Sequence, residues 1–161
     1  MPGTVIGKSM NFGWAGKVSR DADCIIEQRI TGANEAISFG APVFLNTDNS
    51  VRNFNAVSDA TMAKFMGVAL AEVKQSTTYT SGVTGYEAKA PVDVITRGVV
   101  VVALASPSET PGAGGAVYIT PAGLFSSVAT SNIAVTNAVF TTGKVDANGM
   151  VEITLKTKNL I

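Results

Sequence analysis

Histidine is absent from this 161-residue sequence, and cysteine occurs only once, at Cys24. Without histidine the chain lacks the commonest general base, the usual activating partner of a catalytic serine or cysteine, and a frequent ligand of zinc and iron. A single cysteine forms no disulfide within the chain. Because Cys24 lies in an apolar segment with no predicted cationic neighbour, we expect a buried, inert thiol. These absences predict a protein that is not an enzyme and has no catalytic residues.

Charged residues are also scarce, at 15% of the chain, whereas ~25% is usual for a soluble domain. Twelve basic residues balance twelve acidic ones and like charges form no run, so we expect no direct contact with nucleic acid. No apolar stretch approaches the ~20 residues of a membrane-spanning helix, so we expect no membrane segment. The start at Met1 lacks the basic and apolar regions of a signal peptide, which predicts synthesis in a reducing cytoplasm.

Acidic residues are scattered along the chain, and their densest group is Asp21, Asp23 and Glu27. Calcium requires about six to eight oxygen ligands on a loop shaped by glycine, so we interpret this group as solvated charges at the edge of a strand. The glycine-rich segment 111–116 lacks the Gly-Lys-Ser/Thr ending of a phosphate-binding loop and leads into a strand, which indicates a simple loop. The sequence therefore predicts no metal site and no cofactor.

What the chain does contain is a series of β-branched and aromatic segments, separated by residues typical of turns. The predicted strands are 24–30, 42–46, 65–73, 92–105, 116–120, 139–145 and 150–158. Apolar residues make up 46% of the chain, so we expect other subunits to cover part of its surface. We predict an all-β fold, an antiparallel β-barrel or sandwich with at most one short helix.

Turn residues suggest how some of these strands are connected. The segment 124–127 is expected to pair with 116–120 across Pro121-Ala122-Gly123, because proline presets φ and glycine admits a positive φ. A second turn is predicted at Asp146 and Asn148, and turn formation accounts for these two residues better than metal binding does. Residues 56–65 are predicted with about equal weight to form a short helix, capped by Ser58 or Asp59, or a loop.

Two segments of one half of the chain resemble two segments of the other. Residues 40–46 resemble 115–120, and 92–97 resemble 151–156. In each half a glycine precedes a short aromatic strand, and a later strand alternates apolar and acidic residues before it ends on a basic one. The alternative is convergent β patterning. If the duplication is real, the fold contains two related β units packed together.

The first residues differ from the rest of the chain. Residues 1–20 contain four glycines and show neither a strand nor a helix period, so we predict an extended arm outside the main core. We assign 21–161 to a β domain, with 21–106 and 112–161 as candidate sub-units. The uncharged run 99–105 must have both faces covered, either as a central strand of the core or by a neighbouring subunit.

Five short sequence motifs occur in a recognisable order and spacing. They are Gly-Ala-Pro-Val-Phe (40–44), Phe-Met-Gly-Val-Ala-Leu (65–70), Val-Asp-Val-Ile-Thr-Arg-Gly-Val-Val (92–100), Gly-Gly-Ala-Val-Tyr-Ile-Thr (114–120) and Gly-Met-Val-Glu-Ile-Thr-Leu (149–155). With 18–26 as an opening, this order resembles the structural cement, or head-decoration, proteins of tailed bacteriophages over residues 16–157. The resemblance implies a β-rich, often trimeric protein on the virion head, made in the host cytoplasm. It implies binding to the outer surface of the assembled head between major capsid protein subunits, which stabilises the shell.

The arm carries the residues that we expect to make contact. Phe12 and Trp14 are predicted to be apolar anchors on the capsid or on a neighbouring cement subunit, because tryptophan is enriched among interface hot spots. Val18 and Arg20 complete the predicted interaction set. The alternative is a loose tail or a flap over the chain's own core.

Two other classes of function stay open at this point. One is another phage structural β protein, such as a tail-tube or baseplate component. The other is a β module that binds a small ligand or carbohydrate, for which aromatic residues should cluster on one face. Aromatic residues make up only 7% of the chain, and the single tryptophan lies in the arm, so the second class has little support.

Overall fold

The computed structural model describes residues 11–56, 58–59, 62–71 and 84–156. Eleven β-strands form in these ranges, and no helix does. The strands are β1 (Val18–Ile30), β2 (Ile37–Ser38), β3 (Pro42–Leu45), β4 (Val51–Arg52), β5 (Phe65–Ala69), β6 (Gly85–Tyr86), β7 (Pro91–Ala103), β8 (Ala116–Ile119), β9 (Phe125–Ser126), β10 (Ile133–Phe140) and β11 (Met150–Leu155). The predicted all-β class is confirmed.

Nine of the strands form one strongly curled antiparallel sheet, a half-barrel, and β2 and β6 form a small second sheet. The main sheet runs in the order β4-β3-β5-β7-β11-β10-β8-β9, and β1 pairs with β7 beside this path. No helix in the described ranges is long and apolar enough to cross a membrane.

The order of strands repeats about a shared strand, β7. Its first part, residues 91–97, pairs with β1 and β5, and its second part, 98–103, pairs with β11. Consequently β4-β3-β5-β7 in the first half corresponds to β9-β8-β10-β11 in the second. The second part of β7 takes the place in the second half that β1 has in the first. Gly98 joins the two parts with a φ of +126°, a conformation that side chains rarely adopt.

Hydrogen bonds repeat between the halves residue by residue. The matched pairs are Gly40 N–H to Ala69 O and Gly114 N–H to Phe140 O, both 2.8 Å; Ala69 N–H to Ala41 O and Phe140 N–H to Gly115 O, both 3.0 Å; Leu70 N–H to Asp93 O at 2.8 Å and Thr141 N–H to Glu152 O at 2.9 Å; and Gly32 N–H to Val51 O at 2.8 Å and Ala105 N–H to Phe125 O at 2.7 Å. Isolated parallel bridges, Thr31 with Val51 and Leu104 with Phe125, also correspond. The duplication expected from the sequence therefore extends to the backbone pairing.

Two hydrophobic clusters follow this division. The first fills the curl of the first half and consists of Ile37, Val43, Val51, Met66, Ala69, Tyr86, Val92 and Val94. The small second sheet supplies Ile37 and Tyr86 to this cluster. The larger cluster fills the second half and also includes Phe44, Phe65 and Ile95 from the first half. Burial of these side chains thus joins the two halves into one folded unit.

An ion pair fixes Asp59 in the segment 56–65, for which the sequence predicted either a short helix or a loop. The carboxylate of Asp59 is fully buried and accepts bonds of 2.6 and 2.7 Å from the guanidinium of Arg52. The bonds between Arg52 and Asp59 raise the pKa of Arg52 above its usual value. The same carboxylate also accepts the backbone N–H of Asn55 at 2.8 Å. Asp59 therefore anchors a loop to β4, and no described residue of this segment is helical.

Most strand predictions are confirmed, with one clear error. The strand placed at 139–145 lies instead at Ile133–Phe140, because Thr136 and Asn137 interrupt its apolar residues and its register with β11 ends at Phe140. The two-residue strands β2, β4 and β6 were not predicted, since so short a segment shows no period. The expected pairing of 124–127 with 116–120 is confirmed by β8 and β9.

Both turn predictions and the position of the uncharged run are also confirmed. Gly123 has a φ of +77°, and its N–H donates to Thr120 O at 2.8 Å. Gly149 has a φ of +74°, and Asp146 accepts the Asn148 amide at 2.8 Å. The run 99–105 lies largely in β7, where Val100, Val101 and Val102 are fully buried within the chain itself.

Candidate interaction surface

The described part of the predicted arm, residues 11–20, is fastened to the sheet at Gly16, and the predicted boundary is three residues too late because 18–20 already belong to β1. The Gly16 N–H donates to Val101 O at 2.8 Å, and Gly16 O accepts the Ala71 amide at 2.8 Å. A Cβ added to Gly16 would lie 2.6 Å from Ala71 N, so only glycine fits between these backbones. The arm is therefore held at the centre of the molecule, and β1 begins two residues later.

Phe12 is half-buried and lies against the turn before β11. Its N–H donates to Oδ2 of Asp146 at 2.9 Å, while Oδ1 accepts the Asn148 and Met150 amides at 2.8 and 3.0 Å. Burial acts to raise the pKa of Asp146, but the amide donors of Met150, Phe12 and Asn148 outweigh it and leave that pKa below its usual value. A charged carboxylate thus holds both the turn and the arm.

Trp14 is presented to solvent, with 59% of its surface exposed. The ammonium of Lys17 lies 5.7 Å from the centre of its ring, within the range of a cation–π contact. The neighbouring Ala15 lines a pocket of about 80 Å³ together with Leu124, which is also exposed. We call Trp14, Ala15, Lys17 and Leu124 the arm surface.

Val18 and Arg20 lie at the start of β1, and their environments differ. Val18 is half-buried and packs against the larger hydrophobic cluster. Nη2 of Arg20 lies 3.5 Å from Oε2 of the buried Glu152, which also accepts a bond from the Ser19 hydroxyl. Arg20 lines a groove of about 380 Å³ that includes Gly98. Of the four predicted interaction residues, all of which the structure describes, Trp14 offers a large exposed apolar side chain.

A second exposed apolar surface lies on β1, and the sequence analysis did not single it out. Ile25, Ile26 and Ile30 are large apolar side chains with 41%, 49% and 60% exposure. β1 has two consecutive isoleucines and isoleucine again at its end, an uneven pattern that could have signalled an exposed face. We call residues 26–30 the β1 edge.

The remaining candidates for chemistry are accounted for by structure. Of the acidic group, Asp23 is exposed and pairs with Nη2 of Arg97 at 2.6 Å, and Glu27 is partly buried beside Arg29. The side chain of Asp21 lies outside the described residues. Cys24 is half-buried and not buried as expected, because β1 bulges away from β7 between Arg20 and Ile25. In the described ranges no group of three or more acidic or cysteine side chains could hold a metal ion.

Comparison with known proteins decides what kind of protein carries these surfaces. The model of the family described as "Structural cement protein (E217 gp24/Pam3 gp6)" matches residues 1–156. The chain belongs to this structural cement protein family. The match confirms the resemblance seen in the sequence and makes the chain a structural component of a phage head.

The fold of this cement protein also occurs in a solved structure. A chain from "The capsid of Myoviridae Phage XM1" is similar with a TM-score of 0.69 and 19% identity, and the alignment covers 98% of this chain and 99% of that chain. Similarity over nearly the whole of both chains shows a shared fold. Comparison with curated proteins gives no match.

Proposed function

We propose that this cement protein binds the outer surface of the assembled head between major capsid protein subunits, stabilises the shell, and catalyses no reaction. The observation that carries the proposal is the rigid presentation of Trp14. The chain fixes Gly16 between β5 and β7, two residues away, and yet leaves 59% of the tryptophan surface in water.

Such an arrangement lowers the cost of binding. Bonds at Gly16 and at Phe12 order the arm on both sides of Trp14 before any partner arrives. Less conformational entropy is then lost when the ring enters a pocket on the shell. Leu124 extends the apolar area, and Lys17 supplies a charged rim beside it. The arm surface therefore has the apolar centre and polar border typical of a binding site.

We further propose that the protein acts as a homotrimer, in which the segment before β1 is the attachment arm and the strands from Val18 onward form the body. A shell offers many identical sites, and a trimer that engages three of them gains avidity without any new contact. Phe12, Val18 and Arg20 serve mainly to position the arm on the body, because each of them contacts the chain's own residues.

Undecorated heads provide the test. Purified protein is mixed with heads, and the copies bound per shell and the temperature at which the shell opens are measured. We expect saturation at a fixed symmetric number and a higher opening temperature. Absence of binding would contradict the proposed attachment, and mass measurement of the free protein tests the trimer.

Trp14→Ala tests the arm surface in the same assay. Loss of a hot-spot tryptophan should weaken each contact by on the order of 2 kcal/mol, or about thirtyfold. Val128→Ala is the matched control, since Val128 is an exposed apolar residue outside the arm surface. Unchanged occupancy by Trp14→Ala would remove the arm surface from the binding site while leaving the cement function intact.

A further inference from the structure

We propose that the β1 edge pairs with the β1 edge of a second copy of this chain, in antiparallel register about a two-fold axis at Gln28. The two sheets would then continue into one another across the contact. This pairing is a contact between copies and is distinct from attachment to the shell. It rests on the proposed function in one respect, because binding to the shell brings the copies side by side.

The backbone of β1 leaves hydrogen-bonding groups on its outer edge. Thr31 N–H donates to Ala90 O, and β1 continues from there in regular antiparallel register with β7 back to Ile26. Because antiparallel residues alternate in direction, Glu27 and Arg29 direct their N–H and C=O groups toward β7. Ile26, Gln28 and Ile30 direct theirs outward, and in the described ranges β1 pairs with no strand other than β7.

The second half shows the same edge with a partner in place. There Val101 corresponds to Gln28, because Val101 pairs with Glu152 as Gln28 pairs with Asp93. The outward groups of Val101 are bonded by the arm: its N–H donates to Lys17 O at 2.9 Å, and its O accepts the Gly16 amide. The fold thus covers this edge once with an added antiparallel segment, whereas the equivalent edge of β1 has no strand partner among the described residues.

Side chains on β1 make the edge complementary to itself. On one face Ile26 and Ile30 flank Gln28, and all three are exposed. On the other face lie Glu27 and Arg29, whose side chains are 3.0 Å apart within the chain. An axis at Gln28 brings Ile26 opposite the Ile30 of the second copy and Glu27 opposite its Arg29, each twice.

Charge selects this register over its neighbours. An axis one residue earlier would place Glu27 opposite Glu27, and an axis one residue later would place Arg29 opposite Arg29. Like charges directly opposite each other are destabilising, whereas opposite charges in cross-strand pairs are stabilising. All three registers join residues whose backbone groups already point outward, so the charges decide among them.

This contact is suited to copies that are already on a shell. A pair of five-residue edges is smaller than the roughly 1,000 Å² of a stable interface, so isolated copies should not dimerise strongly. A two-fold pair also cannot close a trimer. It would instead link neighbouring trimers, where effective concentration is high.

Cysteine cross-linking tests the pairing. In a Cys24→Ala background, Gln28→Cys places two thiols at a hydrogen-bonded cross-strand pair, where Cα atoms lie about 5.5 Å apart, within disulfide reach. Decorated heads are oxidised and the disulfide-linked dimers are counted. Thr136→Cys is the matched control, as an exposed residue of β10, which lies between β8 and β11.

We expect dimers from Gln28→Cys and only background from Thr136→Cys. Adding Glu27→Arg or Arg29→Glu should abolish the dimers by opposing like charges, and the double exchange should restore them. Full occupancy of the shell without dimers would overturn the pairing. Failure of all variants to occupy the shell would instead count against the proposed function, and oxidation of the concentrated free protein then decides the pairing by whether dimers form.

Discussion

The first and second halves of the molecule share a strand order but differ at the outer edge of one strand. In the second half that strand is the C-terminal part of β7, and residues 16–20 cover its outer edge. In the first half it is β1, whose outer edge has no strand partner in the described ranges. A repeat built on a shared strand therefore covers one copy of the edge, and the other copy is the one that we propose for pairing between subunits.

A second difference is how each half holds the loop after its short strand. Both use a glutamate: Glu35 accepts the amide of Asn53 at 3.4 Å, and Glu109 accepts the Ser127 amide and its hydroxyl. In the described ranges the first half adds the buried pair of Arg52 and Asp59, and the second half has no equivalent ion pair there. The position corresponding to Arg52 in the second half is Ser126, which donates to Glu109.

The largest expected effect comes from Asp59→Ala, which removes an anchor that only the first half has. Leaving the guanidinium of Arg52 without its buried partner should lower the free energy of unfolding by about 3–5 kcal/mol. Denaturant titration measures this. Asp48→Ala, at an exposed acid of the same half, is the control with little expected change. Equal losses from both variants would show that burial of the ion pair contributes nothing.

Gly67→Ala should have the next largest effect. An added Cβ would lie 2.0 Å from Ile95 O, so β5 must move away from β7. We expect a loss of about 3 kcal/mol. The corresponding residue of the second half is Ala138, so the exchange is already tolerated there, and Ala138→Gly should cost only about 1 kcal/mol. A harmless Gly67→Ala would contradict the close approach of β5 and β7.

Glu109→Ala and Glu35→Ala compare the two glutamates directly. Hydrogen bonds to charged groups contribute about 1.5–3 kcal/mol each. Because Glu109 makes the shorter bonds, Glu109→Ala should lower the free energy of unfolding by about 2 kcal/mol, and Glu35→Ala should lower it by less. Thermal unfolding of both variants measures the difference. A larger loss from Glu35→Ala would reverse the ranking that the distances predict.

The smallest effect is an acid-dependent release of the arm. Since the folded pKa of Asp146 lies below 3.8, its stabilising contribution is complete above that pH and is lost as pH falls through the folded value. Fluorescence of Trp14, the sole tryptophan, should report the release. Asp146→Asn should abolish this transition, whereas Asp48→Asn, which changes a carboxylate bonded to Ser50 in another turn, should retain it.

Local patterns explain which strands could be predicted. Segments such as 42–46 and 116–120 combine branched or aromatic residues with flanking turn residues, and both form strands near the expected bounds. The strand at Ile133–Phe140 was placed too late, because Thr136 and Asn137 interrupt its apolar residues. Trp14 was predicted as a contact residue from its type, whereas the exposure of Ile26 and Ile30 depends on how β1 meets β7.

The sequence by itself determined the all-β class and the resemblance to cement proteins and suggested two related halves, because side-chain period, turn residues and short motifs are local properties of the chain. Only the tertiary structure decided that β7 serves both halves, that Gly16 fastens the arm, and that β1 has no strand partner on one edge within the described part of the chain. These features depend on backbone pairing between distant residues. Such pairing uses the backbone N–H and C=O groups that nearly every residue carries, so the side-chain pattern does not show which residues pair.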